Sequence, residues 1–273
     1  MGNPKRSVES FQDEADTGNP QFVTALARGM AILRCFDRDD AHYLGNQEIA
    51  ARTGLAKPTV SRLTFTLASL GYLSYSAALE RYSLGVGVLA LANAFVKGND
   101  IMAVARPLMQ GLADYTKAAV MLGASHDTNM VLLDICQGDE LFQLKLQAGS
   151  RVPHSSTALG RAWLASLPQS DFDHYLQELP AKCPVASLHK IKSGIVRARR
   201  DCEQYGFCFS LGDWNPEVFA VGVPIVSTDK SRVFAFNVSG RVSVVTREQI
   251  TDDFGPRLVA LRNKVLDLVQ GRF

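Results

Sequence analysis

With 273 residues, 47% of them hydrophobic, the chain has enough apolar mass to bury a sizeable core and to divide into two domains. A net charge of +2 is too small to argue for nucleic acid by itself, and it leaves room for a basic surface confined to one element. The cysteines, Cys35, Cys136, Cys183, Cys202 and Cys208, are odd in number and contain no C-x-x-C pair, which fits reduced cytosolic thiols rather than a disulfide framework. No secretory signal is read, because the N-terminus has no apolar core before Phe22. The longest apolar run, Val86 to Val96, is broken by Gly87 and Asn93 and falls short of the roughly 20 residues a membrane span needs. A soluble cytoplasmic protein is expected.

Met1 to Pro20 mixes Lys5, Arg6, Glu9, Asp13, Glu14 and Asp16 with Gly and Asn, so it cannot bury enough apolar surface to offset chain entropy, and disorder is expected over 1–20. A basic arm for the minor groove is the other reading, against which the acids argue. Thr24 stands where an N-cap belongs, ahead of a helix carrying Leu26, Met30, Ile32, Leu33 and Phe36, which the polar stretch Asp37 to His42 ends. The run from Asn46 to Leu73, NQEIAARTGLAKPTVSRLTFTLASLGYL, then reads as helix, turn, helix. The first helix has Ile49 and Ala50 inward and ends at Gly54, where a positive φ is needed. The second starts near Lys57 to Thr59, with Pro58 in the first turn, and repeats Val60, Leu63, Leu67 and Leu70 at helical spacing. Its opposite face holds Pro58, Ser61, Arg62 and Phe65, and no acid occurs from Lys57 through Ser69 to repel phosphates. Such a pair of helices is the arrangement that lays the second helix in the DNA major groove; an ordinary helical hairpin is the other reading.

Tyr72 to Tyr75 and Arg81 to Leu84 flank a short loop and suit a hairpin, which after a recognition helix is a wing. Arg81 at its base is a candidate for phosphate or minor-groove contact, against an ordinary exposed arginine. Val88, Leu89, Leu91, Ala92, Phe95 and Val96 give a helix with a wide apolar face, stopped at Gly98 to Asp100; this linker is a candidate dimer contact. Beyond it the chain alternates. Helix is expected over Ile101 to Lys117, strands at Ala119 to Gly123, Met130 to Cys136 and Phe142 to Gln147, and helices at Ala158 to Leu167, Ser170 to Leu179 and, capped by Ser187, through Tyr205. Strands at Gly206 to Leu211, Phe219 to Val226 and Arg232 to Ser239 follow, and a helix over Arg247 to Val269 closes the chain. Three strands before the helices and three after make an α+β layer.

Ser155, Ser156 and Thr157 ahead of a helix combine hydroxyls with exposed amides, either an anion cradle or a plain N-cap. Asn237 and Ser239 alternate with Phe236 and Val238, so both point to one face of a strand, where they suit hydrogen bonds to a ligand. No G-x-S-x-G, H-E-x-x-H, P-loop or G-x-G-x-x-G occurs, and His126, His154, His174 and His189 lack ligand spacing. No cofactor or metal is expected. An enzyme acting through the C-terminal half, or a thiol or metal sensor using Cys202 and Cys208, is the alternative class.

In their order, ALARGMAILRCF, EIAARTGLAKPTVSRLTFTLASLGYL and RYSLGVGVLALA resemble the winged helix-turn-helix of the IclR family of bacterial transcription regulators, and HSSTALGRAWLASLP, GFCFSLGDWNPEVFAVGVPI and RVFAFNVSGRV resemble its effector-binding domain. The likeness runs from about Phe22 to Phe273. It implies a homodimer or dimer of dimers on a pseudo-palindromic double-stranded DNA operator, away from any membrane, with a GAF-like C-terminal domain that holds a small organic acid. The implied division is a winged helix-turn-helix domain over 21–85, a linker helix over 86–100 and an effector domain over 101–273. Carried over by position, the groove-facing residues are Lys57, Thr59, Ser61, Arg62 and Phe65. The effector-binding residues implied are Ser156, Thr157, Ala158, Leu159, Ser210, Asp213, Val218, Ala220, Asn237 and Ser239. Many members carry an acidic run where this chain reads Ser210, Leu211, Gly212 and then Asp213 alone. Fewer acids suit a carboxylate, and Trp214 with Phe219 as an aromatic wall favours an aromatic or medium-sized acid over a two-carbon one.

Overall fold

The computed structural model describes residues 21–37, 42–138 and 146–273. The disorder expected over 1–20, the polar stretch 38–41 and the start of the strand expected at Phe142 lie outside the described residues. The chain divides into two units, residues up to Gly98 and Asn99–Phe273.

The first unit contains α1 (Thr24–Arg34), α2 (Asn46–Thr53), α3 (Lys57–Ser69), the hairpin β1 (Leu73–Ser76) and β2 (Arg81–Leu84), and α4 (Gly87–Lys97). Its core is Ile32, Cys35, Leu44, Ile49, Val60 and Leu73, with Leu63 and Leu67 packed against it. Gly54 ends α2 at φ 70°, the left-handed conformation that lets the chain turn sharply into α3. Thr64 completes the buried stripe of α3, its hydroxyl donating to the Val60 carbonyl at 3.0 Å. Leu70 does not share that stripe: α3 stops at Ser69, so Leu70 falls on the cap and is exposed. One further expectation fails in α1: Val23, not Thr24, occupies the cap position, without a side-chain bond. Leu26 and Met30 of this helix face outward.

The second unit begins with α5 (Asp100–Thr116), β3 (Ala119–His126), β4 (Asn129–Cys136) and β5 (Arg151–Pro153). After α6 (Ala158–Ala165), α7 (Gln169–Lys182) and α8 (Val185–Tyr205) come β6 (Cys208–Leu211), β7 (Val218–Val226), β8 (Val233–Arg241) and α9 (Gly255–Leu268). The strands form one sheet in the order β5-β4-β3-β8-β7-β6, every pair antiparallel. Alternation sorts its side chains into two layers. Val120, Leu122, Val221, Val223, Phe236 and Val238 pack with Met109 of α5 and Leu258 and Leu261 of α9, while Met121, Leu132, Val152, Cys208 and Ala235 pack with Leu159 and Ala162 of α6 and Ala198 of α8.

Three local readings are corrected. Of the strand expected over Phe142 to Gln147 only the last two residues are described, and Leu146 and Gln147 lie outside any strand, since Gln147–Ser150 folds into a turn with Ser150 N donating to Gln147 O; β5 follows at Arg151–Pro153. Ser187 is not a cap: α8 starts at Val185 after Pro184, and the Ser187 hydroxyl donates back to the Pro184 carbonyl. The last helix is preceded by a separate π-helical turn, Gln249–Phe254, rather than running unbroken from Arg247. Among the described residues no single helix is long and apolar enough to cross a membrane.

Candidate functional site

Two surfaces gather the residues singled out from sequence, one in each unit. On α3, Lys57, Pro58, Ser61, Arg62 and Phe65 are all exposed, Phe65 to 72%, while Thr59 is half-buried at the edge of the face. The geometry follows from the helical period: Val60, Leu63, Thr64 and Leu67 take the inner stripe and leave these outside. The hydroxyls of Thr64, Thr66 and Ser69 donate to carbonyls of the preceding turn, which leaves Lys57 and Arg62 as the charged groups of the outer face. Arg81 is placed differently from expectation. It opens β2 opposite Ser76, at the turn end of the hairpin rather than its base. Its guanidinium donates to Glu48 Oε2 at 2.9 Å and to the Tyr43 carbonyl at 3.1 Å. Glu48 also accepts the Gly45 amide at 2.8 Å, and that bond, with the nearby Arg81, holds its carboxyl below the usual range. Arg81 therefore braces the wing against the start of α2.

The second surface is a narrow recess between the sheet and the N-terminus of α6. Its wall combines Met121, Asn237, Ser239, Val218 and Ala220 from the strands with Thr157, Ala158 and Leu159 from α6. Ser210, Trp214, Leu146 and Val152 complete it. The space exists because the strand rows under it carry small residues: Ser239 lies between Ala119 and Ala220, and Asn237 between Met121 and Gly222. At Gly222 a Cβ would stand 2.2 Å from the Ala158 carbonyl oxygen, so α6 reaches the sheet only over glycine. Thr157 is the N-cap of α6, accepting the Gly160 amide at 3.0 Å and donating to the Pro153 carbonyl at 2.7 Å. Its hydroxyl proton is thus taken, and so is that of Ser210, which donates to the Ser156 carbonyl at 2.7 Å. Asn237 Oδ1 and Ser239 Oγ, in contrast, are buried without a hydrogen-bond partner among the described residues.

Of the residues assigned to this site from sequence, Thr157, Ala158, Leu159, Ser210, Val218, Ala220, Asn237 and Ser239 line the recess. Ser156 and Asp213 do not. Ser156 contributes its carbonyl to Ser210, and Asp213 turns away to pair with Arg161 at 2.7 Å and Lys190 at 3.4 Å. Phe219 also faces elsewhere, since it alternates with Val218 and Ala220 and packs into the opposite layer. Met121, Leu146 and Val152 are lining residues that the sequence reading missed, and Arg161 is a buried residue it passed over.

Of the two cysteines named as a thiol pair, Cys202 is half-buried and Cys208 is enclosed. Cys208 is fully buried, its thiol faces the Ala158 carbonyl at 3.7 Å, and burial pushes its pKa well above the ordinary thiol value. Among the described residues no group of three or more His, Cys, Asp or Glu stands close enough to hold a metal ion.

The relatives of the chain share both of its units. The family described as "Bacterial transcriptional regulator IclR C-terminal" matches residues 93–265, and "IclR helix-turn-helix domain" matches residues 25–77. The HTH-type transcriptional regulator TsaQ1/TsaQ2 of Comamonas testosteroni is 31% identical over 258 residues, spanning 94% of this chain and 91% of that protein. The crystal structure of an IclR family transcriptional regulator from Brucella abortus matches with a TM-score of 0.86 at 41% identity, over 96% of this chain and 98% of that one. An IclR homolog from Microbacterium hydrocarbonoxydans, solved in complex with 4-hydroxybenzoate, has the same fold, with a TM-score of 0.73 at 17% identity over 90% of this chain and 99% of that one. Two domain matches in the right order, with a relative above 30% identity across nearly the whole length, place the molecule: the chain belongs to the IclR family of bacterial transcriptional regulators.

Proposed function

We propose that this regulator reads an operator with the outer face of α3 and binds a small organic acid, aromatic by preference, in the recess beneath α6. The ligand then changes operator affinity. Lys57, Thr59, Ser61, Arg62 and Phe65 meet the major groove, with Arg62 able to give a bidentate fork to guanine or phosphate and Phe65 able to meet a thymine methyl. Arg81, already paired with Glu48, has a supporting role at the wing.

The observation that carries the ligand reading is the pair of unpartnered buried oxygens, Asn237 Oδ1 and Ser239 Oγ, on the recess wall. Buried polar atoms left unpaired cost on the order of 1–3 kcal/mol each, and a bound ligand that donates to Asn237 Oδ1, as a ring hydroxyl does and an ionised carboxylate cannot, recovers that cost. A carboxylate also suits the first-turn amides of Ala158 and Leu159, which have no carbonyl within their helix to donate to. Asp213 does not oppose it, because Arg161 and Lys190 offset its charge and it stands outside the lining. The Trp214 indole and the apolar Met121, Leu146 and Val152 give the recess an apolar wall of the kind a ring packs against. The regulator works as a homodimer or dimer of dimers on DNA in the cytoplasm, with the domain division 21–85, 86–100 and 101–273.

A thermal-shift screen of the whole chain tests the ligand reading. Benzoate and 4-hydroxybenzoate at concentrations well above Kd raise the melting temperature, and acetate and glyoxylate do not. A screen in which only the two-carbon acids stabilise the protein overturns the aromatic assignment. Operator fragments selected from genomic DNA, with and without the stabilising acid, test the DNA reading by gel shift.

A further inference from the structure

We propose that Arg161 is the positioning residue that holds the Trp214 wall over the recess, and that it acts through Asp213. The consequence for ligand binding rests on the ligand reading above; the placement of Trp214 does not.

Arg161 is 4% exposed although it sits one turn into a short helix. Its guanidinium is spent on three acceptors from three separate segments. Nε donates to the Ser155 carbonyl at 3.1 Å, and Nη1 donates to the Phe209 carbonyl at 3.1 Å and to Asp213 Oδ2 at 2.7 Å. Each of these acceptors stands next to or two residues before a residue of the recess wall: Thr157 after Ser155, Ser210 after Phe209 and Trp214 after Asp213. One planar cation therefore sets the spacing of the three segments that carry the rim of the recess. The fold makes room for it. At Gly194 of α8 a Cβ would lie 2.3 Å from Arg161 Nη2, so α8 is bare where the guanidinium passes. Lys190, one turn earlier on α8, approaches the other Asp213 oxygen at 3.4 Å.

Asp213 stands in the turn from Gly212 to Glu217 between β6 and β7, which keeps main-chain bonds of its own: Gly212 N to Val218 O at 3.0 Å and Val218 N to Asn215 O at 2.9 Å. These bonds preserve the hairpin when the aspartate is changed. What is lost is the tie from the turn to α6 and α8, and with it the fixed position of the neighbouring indole.

The test uses the full chain with Trp163→Phe, which leaves Trp214 as the single indole of the two in the sequence. In the absence of any ligand, Asp213→Ala in this background raises acrylamide quenching of Trp214 by about twofold and shifts its emission to longer wavelength, and Asp213→Glu returns both toward the parent. Should Asp213→Ala fail to fold, the double variant Arg161→Met with Asp213→Leu leaves no buried charge unpaired and carries the same expectation. Quenching and emission that stay at parent values in the folded Asp213 variants overturn the proposal. Binding of 4-hydroxybenzoate is then measured on the same proteins. If Trp214 becomes accessible while no form binds that acid, the positioning role stands and the ligand reading falls.

Discussion

His154 is a residue whose chemistry departs far from its ordinary behaviour. It is 1% exposed, its ring is stacked 4.6 Å from Trp163 and edge-on to Tyr175 at 6.1 Å, and burial, aided by the charge of Lys182, lowers its pKa to about 4. The folded protein thus keeps the imidazole neutral where the unfolded chain, with the usual value near 6.5, takes up a proton. Between pH 6.5 and 4 the unfolded state binds more protons, so stability falls as pH falls, by about 3 kcal/mol at most across that window. His154→Phe, which preserves the stack, should flatten this part of the melting-temperature profile; an unchanged slope would show that other groups set it. Arg62 poses a different question at the same scale. Arg62→Ala should weaken operator binding by about 1–3 kcal/mol and relax the preference at one base pair if the side chain reads a base. Equal weakening on all sequences, with a shallower salt dependence, would assign it to phosphate alone.

At the scale of elements, α6 is the piece on which the recess depends, and its seat is defined by what is missing beneath it. The Ala158 carbonyl rests where a side chain at Gly222 of β7 would be. Gly222→Ala should therefore push α6 off the sheet, cost about 1–3 kcal/mol in unfolding free energy and abolish stabilisation by any recess ligand. A variant with unchanged melting temperature and intact ligand response would contradict that seating. The same helix explains which parts of the site could be read beforehand. Asn237 and Ser239 were legible because polar residues alternate with Phe236 and Val238, and period two is a local signal. Met121 was not, since Ala119–Leu122 is apolar throughout and buried on both sides, so no alternation marks a face. Leu146 stands just before the turn that leads into β5, and Val152 lies on β5 itself, a three-residue strand too short to leave a periodic signal. Arg161 gave no hint of burial, because an arginine in a helix reads as solvent-facing, and its partner Asp213 lies 52 residues away. In the first unit the inner stripe of α3 was legible from its period, whereas Leu70 was misplaced because the helix end is set by the turn after it and not by the stripe. Arg81 was misread for a similar reason, as its ion pair with Glu48 spans 33 residues.

At the scale of the molecule, regulation requires two equilibria to be linked. If a recess ligand changes operator affinity by some factor, typically about 5–150-fold, operator DNA must change ligand affinity by the same factor. Titrating the ligand with and without a saturating operator duplex checks this, and unequal factors would mean that the ligand acts elsewhere. If, as proposed, the regulator binds a pseudo-palindromic operator as a dimer, the linkage also depends on assembly, since two copies of α3 are then needed. The helix α4 is the proposed contact surface. None of its residues is buried, and Leu89 at 72% and Leu91 at 58% exposure leave aliphatic side chains in water on a helix that is apolar on more than one side. Leu89→Glu places a charge on that face without touching the core of either unit. It should weaken self-association by roughly tenfold or more, as for a well-packed interface position, and reduce operator affinity in parallel while ligand binding to the recess persists. Sedimentation equilibrium of the variant and the parent at matched concentrations decides the matter: identical association constants would remove α4 from the interface and leave the assembly to another surface.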